Sequence, residues 1–576
     1  MWSCSDILDR PPLHIVEDDD YWTSEDRLRL FANGFYSDEG NLGAFQGYSR
    51  SWSTYYVPVR QLFSSDDFAT GSTQPSFANT STGTTDYWQD GLWQGRGWYW
   101  SIIRRINVFV NRINTRTDSW ITPEQFNHWM GVARFFRAVE YYELVKTYGD
   151  VPWFEDEVLE TERDLMFKNR DTRDMVADKI YDDLKYALAN VRVSDGTAGV
   201  TVNRYVVAGY ISRLMLWEGT WQWYHKSNIQ LAKKYLDFAV EAAEFVMNSG
   251  RYSIDADFHN LFGSENLATN KECLLYRHYD AGSTPSSVTH CIASYCNTDE
   301  AQDGGANLSL LKSFICNDGK VWQNSDAFTD AGITLANDGE KFRIENLIQT
   351  RDPRFESTFY YQYKSTSPTL LYCNKFIDRI GTEAGYRGTV AKYASMTNTN
   401  DAPIMRLGEV LLNYIEAKAV LDKHLGGATV TQADIDKSIN ALRDRPIDAI
   451  ATSRGVQKTA HLLLSSMPND PDRDADVPEL IWEVRRERRM ELIYEATTRL
   501  WDLRRWKKLD YMNTGSAATT YPDIMCSIWI DWNGTDPADP VPAPTASNPN
   551  PKGIREARLT ATNAAGALTN IGIIGV

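Results

Sequence analysis

The chain contains no run of about 18 apolar residues, so no segment is expected to cross a membrane as a helix. Positive charge is in deficit: 60 Lys and Arg stand against 77 Asp and Glu. The resulting net charge of −17 argues against nucleic-acid binding, and against a basic patch that would hold the protein to an anionic bilayer. Histidine is scarce, with 8 residues and none paired with another at ligand spacing. No two of the seven cysteines form C-x-x-C or join a histidine in a zinc pattern, so no metal site is expected. G-x-S-x-G, H-E-x-x-H, the P-loop and G-x-G-x-x-G are all missing, which leaves the common hydrolase, protease and nucleotide-binding signatures without support.

What is present is the material of a large globular protein. At 576 residues, with 42% hydrophobic and 24% charged residues, the chain can bury a sizeable core. Aromatics are plentiful, including 19 Trp and 30 Tyr. Most are expected to pack between helical layers, and a minority to offer flat faces to the C–H side of a sugar ring while Asp, Asn and Arg take its hydroxyls. Of the cysteines, Cys4 stands alone near the start. Cys273, Cys291, Cys296, Cys316, Cys373 and Cys526 are either buried thiols or up to three disulfides of an oxidising compartment.

Helical spacing dominates the first half. Thr23 to Tyr36 reads as a helix capped by Thr23, with Leu28, Phe31 and Phe35 on one face. Tyr99 to Ile113 gives an amphipathic helix. Thr122-Pro123-Glu124-Gln125 opens another that runs to Tyr148 and stops at Gly149. Thr172, Asn203 and the Leu231–Phe245 stripe mark three more, the last closed by Gly250. Residues 38–97 and 251–403 are rich in Gly, Ser, Thr and Asn, although Glu272 to Tyr276 reads as a strand. Helical pattern returns from Leu407 to Leu421 and again from Thr431, with Asp434 at its fourth position.

The stretch from Ile481 to Asp510 is the most charged of all. It reads as one long helix or a sharply broken pair, opened by a capping box of Asp476 and Glu479. Arg488–Glu491 and Glu495–Arg499 fall at spacings that support a helix from within. A guanidinium such as that of Arg488 could equally tie the helix to carboxylates on a neighbour.

Glu487-Arg488-Arg489-x-Glu491-Leu492, followed by Arg499-x-x-Asp502-Leu503-Arg504-Arg505-Trp506, resembles the C-terminal signature of the SusD/RagB family, with Glu495-Ala496 where the family carries E-G. Four further blocks in the family's order strengthen the resemblance: Trp100 to Asn107, ARFFRAVEYYELVKTYGDVPW from Ala133 (after Val132, where a Glu is usual), AAEFVMNSGRYSI from Ala242, and RLGEVLLNYIEAKAVL from Arg406.

The resemblance implies a mainly α fold, a tetratricopeptide-like helical-hairpin scaffold with long irregular loops and a few short strands. It implies an N-terminal tether over 1–22 acylated at Cys4, a single domain over 23–535, and a Pro-rich C-terminal arm over 536–576. The scaffold would occupy 23–37, 98–250 and 404–510, with ligand-binding loops at 38–97 and 251–403. The implied function is capture of an oligosaccharide without turnover, by a cell-surface lipoprotein held to the outer membrane only by its lipid. It would act as a lid on a SusC-like TonB-dependent transporter. Candidate ligand contacts are Trp88, Trp93, Trp98 and Arg96 in the first loop region, and Tyr279, Asp280, Tyr295, Asp303 and Trp322 in the second. No cofactor is expected; a structural calcium ion among Asp and Asn oxygens is possible, although no EF-hand loop occurs.

The alternatives are a RagB-like peptide binder on the same fold, a helical-repeat scaffold with protein partners only, and a glycosidase using two of the many carboxylates. Against the last, the carboxylates that can be placed lie beside arginines on helices, where charge pairing explains them.

Overall fold

In the computed structural model the residues described are 18–36, 52, 59, 65–69, 98–282, 289–302, 304–335, 338–364, 366–367, 369–382, 390–495, 498–512, 523, 526–531, 554–559 and 571–575. They fall into two compact units. The first has its described residues at 18–36, 98–195 and 202–207, and the second holds the rest.

The first unit is built around the Pro123–Tyr148 helix. Its start is the capping box expected from sequence: Gln125 N–H donates to the Thr122 hydroxyl, and Thr122 N–H donates back to the Gln125 side chain at 3.0 Å. From His128 to Lys146 this helix is buried nearly all round, because Ser101–Arg116 and Arg173–Asn190 pack on it. Rings fill the join: Phe31 stacks on Phe109 at 5.4 Å, and Phe35 meets Phe109 and Phe136, each at 5.4 Å. Two residues from the sequence blocks turn the chain here. Asn107 donates to the carbonyls of Phe154 (2.8 Å) and Asp156 (3.0 Å), and Arg137 grips Asp183 through two bonds of 2.7 and 2.8 Å. Gly149, at φ +76°, ends the helix in a conformation that a β-carbon would strain.

In the second unit the Leu407–Leu425 helix packs against Ile229–Met247 and Glu479–Glu491. Strand Cys273–Arg277 pairs antiparallel with Ala402–Arg406, which leads directly into that helix. A second antiparallel pair joins Phe68–Ala69 to Gly305–Ala306. Ile554–Leu559 lies between Cys526–Asp531 and Ile571–Gly575 in a three-stranded sheet, so two strands beyond residue 536 are drawn onto the preceding chain.

The charged C-terminal segment is a broken pair, Glu479–Glu491 and Thr498–Arg505. Two expectations fail here. The helix starts after Pro478 with no side-chain cap, because Asp476 is held by Lys508 at 2.9 Å. The local charge pairs do not form either. Glu491 accepts from Arg406 (2.5 Å), Arg445 (2.7 Å) and Arg354 (3.0 Å), while Glu495 binds Arg406 and Lys375, each at 2.7 Å. With Glu487, Glu272, Asp352 and Arg443 these form a buried lattice in which Arg354, Arg406, Arg443, Arg445 and Lys375 face five carboxylates. Gly408 lies against it, and a β-carbon there would come within 2.2 Å of an Arg406 nitrogen. The reading in which Arg488 reaches a neighbour holds: it donates to Asn413 at 2.8 Å and Asp502 at 2.6 Å.

Cys273, Cys291, Cys296, Cys316 and Cys373 are buried free thiols, so the disulfide alternative is not realised among these five. Burial pushes the Cys273 and Cys296 thiols well above the ordinary range, as expected of inert packing residues. Among the described residues, no helix is long and apolar enough to cross a membrane.

Candidate ligand-binding site

Within the first unit, Phe167 and Trp98 are the large aromatics left exposed among the described residues, and only Trp98 was expected at a ligand site. Its side is braced edge-on by Trp100 (5.3 Å between ring centroids) and Tyr148 (4.9 Å), and the Arg170 guanidinium lies 5.0 Å from its ring centre. Trp100 is itself set edge-on against Phe154 at 5.5 Å. Trp98 nevertheless remains 40% exposed, so an indole is held in a fixed attitude with surface to offer.

Of the other residues expected in the first loop region, Trp88, Trp93 and Arg96 lie outside the described residues, as do Asp303 in the second and Cys4 at the start. The four remaining candidates belong to the second unit. Tyr279 is only 2% exposed: its hydroxyl donates to the Trp52 carbonyl and its ring meets His290 edge-on at 4.4 Å, so it presents no free face. Asp280 is exposed and accepts from the Gly282 N–H at 2.7 Å, a local turn contact. Tyr295 is half-buried; its carbonyl accepts from Gln302 at 2.8 Å and from the Tyr372 hydroxyl at 2.9 Å. Trp322 is half-buried against Phe342 (5.1 Å), with the Lys312 and Lys341 ammonium groups each 5.4 Å from its ring centre.

A cleft of about 340 Å³ in the second unit was not expected from sequence. Trp482, Arg485, Arg486 and Arg489 line it from one side, because positions i, i+3, i+4 and i+7 share a helix face. Arg489 donates to Asp67 at 2.6 Å and Arg499 to Asp66 at 2.6 Å. Burial would lift the Asp66 carboxyl, but the two guanidiniums outweigh it and hold it at about 2. Burial does raise Asp67, with the Asp66 charge adding to the effect. Arg486 pairs with Asp470, Lys312 with Asp523 (2.6 Å), and Asp474 with Lys508 (2.7 Å). The helical face of one tryptophan and three arginines was the available signal. It was indistinguishable in sequence from the arginines that enter the lattice.

Among the described residues, no group of three or more His, Cys, Asp or Glu side chains is placed to hold a metal ion.

The described residues thus form a helical frame whose charged C-terminal helices are pinned by buried arginines and which carries a braced, part-exposed tryptophan, a mainly α scaffold class. Comparison with known proteins narrows the class. The family described as "SusD family" matches residues 363–525, and one described as "Starch-binding associating with outer membrane" matches residues 51–216. A SusD-like protein of Bacteroides ovatus is 23% identical over 281 residues, which is 47% of this chain and less than half, 46%, of that relative's length. SusD-like protein P2 of Formosa agariphila is 23% identical over 511 residues, 88% of each chain. The crystal structure of a SusD-like carbohydrate binding protein from Bacteroides fragilis superposes with a TM-score of 0.58 at 18% identity, covering 90% of this chain and 93% of the other. A laminarin binding SusD-like protein does so with 0.52 at 16% identity, covering 88% and 96%. Over residues 51–216 and 363–525 the chain is similar to the SusD/RagB-like family, and its fold is the mainly α, tetratricopeptide-like one.

Proposed function

We propose that this protein captures oligosaccharide at the outer face of the outer membrane and releases it chemically unaltered to a SusC-like TonB-dependent transporter, over which it acts as a lid. Acylation at Cys4 would tether it. The family descriptions and the carbohydrate-binding names of the structural neighbours support the ligand class. The observation on this chain that carries the reading is Trp98: an indole that packing has fixed but not covered, with a guanidinium beside it for hydroxyl groups. Rigid aromatic platforms of this kind cost little ordering entropy on binding.

The test is calorimetric titration of the full chain against neutral oligosaccharides, laminarin-derived and starch-derived among them, with mixed oligopeptides as the competing class. The expected result is micromolar to millimolar binding of at least one saccharide, weakened about tenfold or more by Trp98→Ala, with the sugar recovered at its original length. Binding of peptides alone, or shortened sugar after incubation, would replace this reading with the peptide-binding or the enzymatic one.

A further inference from the structure

The cleft of the second unit is lined by five carboxylates and five cations, and among the described residues two of these, Asp472 and Arg485, have no ion-pair partner; Asp472 is exposed and accepts from Gln323 at 2.9 Å. Asp66, Asp470, Asp474 and Asp523 each have a basic partner within ion-pair distance, and so do Lys312, Arg486, Arg489 and Arg499. Arg485 does not: among the described residues no carboxylate lies within 4 Å of its guanidinium. It is 6% exposed, and its Nε–H is buried without a hydrogen-bond acceptor. Its neighbours are rings, with Trp506 at 4.4 Å and Tyr224 at 5.4 Å. The Tyr224 hydroxyl, within hydrogen-bonding reach of Arg485, is pushed up by burial despite the Arg485 charge, so it stays a neutral phenol and supplies no counter-charge.

A guanidinium this deeply buried is ordinarily paired, because its desolvation is otherwise uncompensated. Here it lies over the indole and phenol rings at the wall of an open cavity of about 340 Å³, large enough for a sugar unit or two. Trp482 lines the same cavity, with its indole N–H fixed by Asp470 at 2.7 Å.

We propose that this cleft is a binding site for an acidic saccharide, in which Arg485 receives the oxyanion of the sugar, a uronate carboxylate or a sulfate ester, while Trp482 and Trp506 border its ring. An oxyanion suits the site because a guanidinium offers parallel N–H donors that match two oxygens of one group. Selectivity against neutral sugars follows from the cation, which a hydroxyl hydrates poorly and an anion neutralises. The sugar as carrier of the anion rests on the saccharide reading above; the anion site itself does not.

The experiment is titration of the full chain with an oligogalacturonate trisaccharide, a sulfated galactose oligosaccharide and neutral maltotriose. At least one acidic probe should bind, with an affinity that falls as salt rises, and Arg485→Gln should weaken it about tenfold to a hundredfold. Should Arg485→Gln fail to fold, Ser309→Tyr adds bulk at another lining position, at the loss of a 3.1 Å bond from Arg489, and it should weaken the acidic probe likewise. Equal binding of acidic and neutral sugars, no binding of either acidic sugar, or acidic binding indifferent to both cleft variants overturns the proposal. Acidic binding without any neutral binding removes the Trp98 reading alone, and neutral binding without acidic removes this one alone.

Discussion

In the first unit the helices meet through rings; in the second they meet through ions. Phe31, Phe35, Phe109 and Phe136 close the join around Pro123–Tyr148, where the Arg137–Asp183 pair is a local clamp. Under the C-terminal helices, by contrast, five cations and five carboxylates are removed from water together. Aromatic packing contributes by area and tolerates small shifts. An ionic lattice adds little over an apolar core of the same volume, but losing one member strands the others. The second unit is therefore the more brittle of the two and the more strictly specified.

That contrast is broken most severely at Glu491. Three guanidiniums share this carboxylate, so Glu491→Ala leaves them facing one another in a buried site. Destabilisation should reach at least the roughly 3–5 kcal/mol seen when one partner of a buried pair is removed. Chemical denaturation should show a lowered midpoint or failure to fold; a loss below about 1 kcal/mol would mean that water reaches the lattice.

The next effect is one of pH. His290 is wholly buried, and its Nε2 sits 2.8 Å from the Asn400 carbonyl while its Nδ1 accepts from Ile292 N–H. Burial, helped by the Arg277 charge, depresses the imidazole from 6.5 to about 3. Below about 6.5 the unfolded chain takes up a proton that the folded chain refuses until about 3, so stability falls across that window as the pH drops and levels off beneath it. The full span corresponds to as much as about 5 kcal/mol. His290→Gln should flatten the profile between pH 6.5 and 3; an unchanged slope would show that other groups set it.

Thr122→Ala probes the first unit on a smaller scale. It removes the acceptor for Gln125 N–H and should cost about 1 kcal/mol, visible as a small shift in denaturation midpoint.

The caps show how far local sequence reaches. Thr122 with Gln125 and Thr431 with Asp434 form boxes because all their partners lie within four residues. Thr172 and Asn203 accept from their own helix starts for the same reason. The helices, the Cys273–Arg277 strand and the family blocks were thus readable, although the first helix, Glu25–Asn33, starts after Ser24 with no side-chain cap rather than being capped by Thr23. What spacing could not show was which charges leave their own helix. Glu491 finds Arg406 85 positions away, and Arg499 finds Asp66 433 positions away. A single sequence has no signal for such distant partners, which is why local pairs were expected instead. The candidate site divides in the same way. Tyr279 looked like any loop aromatic, and only tertiary packing makes it a buried donor to Trp52. Arg485 looked like its neighbours, and only the absence of a carboxylate beside it sets it apart.

The smallest effect on stability should come from Trp98→Ala, and it sharpens the comparison most. If rings hold the first unit together, removing a tryptophan from it should be costly; a fully buried one would take about 3–5 kcal/mol with it. Trp98 is instead 40% exposed, touches its neighbours by their edges and is followed by the helix Ser101–Arg116, whose own buried face it does not form. Its loss should shift the denaturation midpoint by no more than about 0.5 kcal/mol, while saccharide affinity drops about tenfold. Stability and binding then separate at one residue: the buried rings are frame and this one is contact. A large stability loss with unchanged affinity would place Trp98 among the frame residues, leaving the first unit with no described aromatic known to act on a ligand.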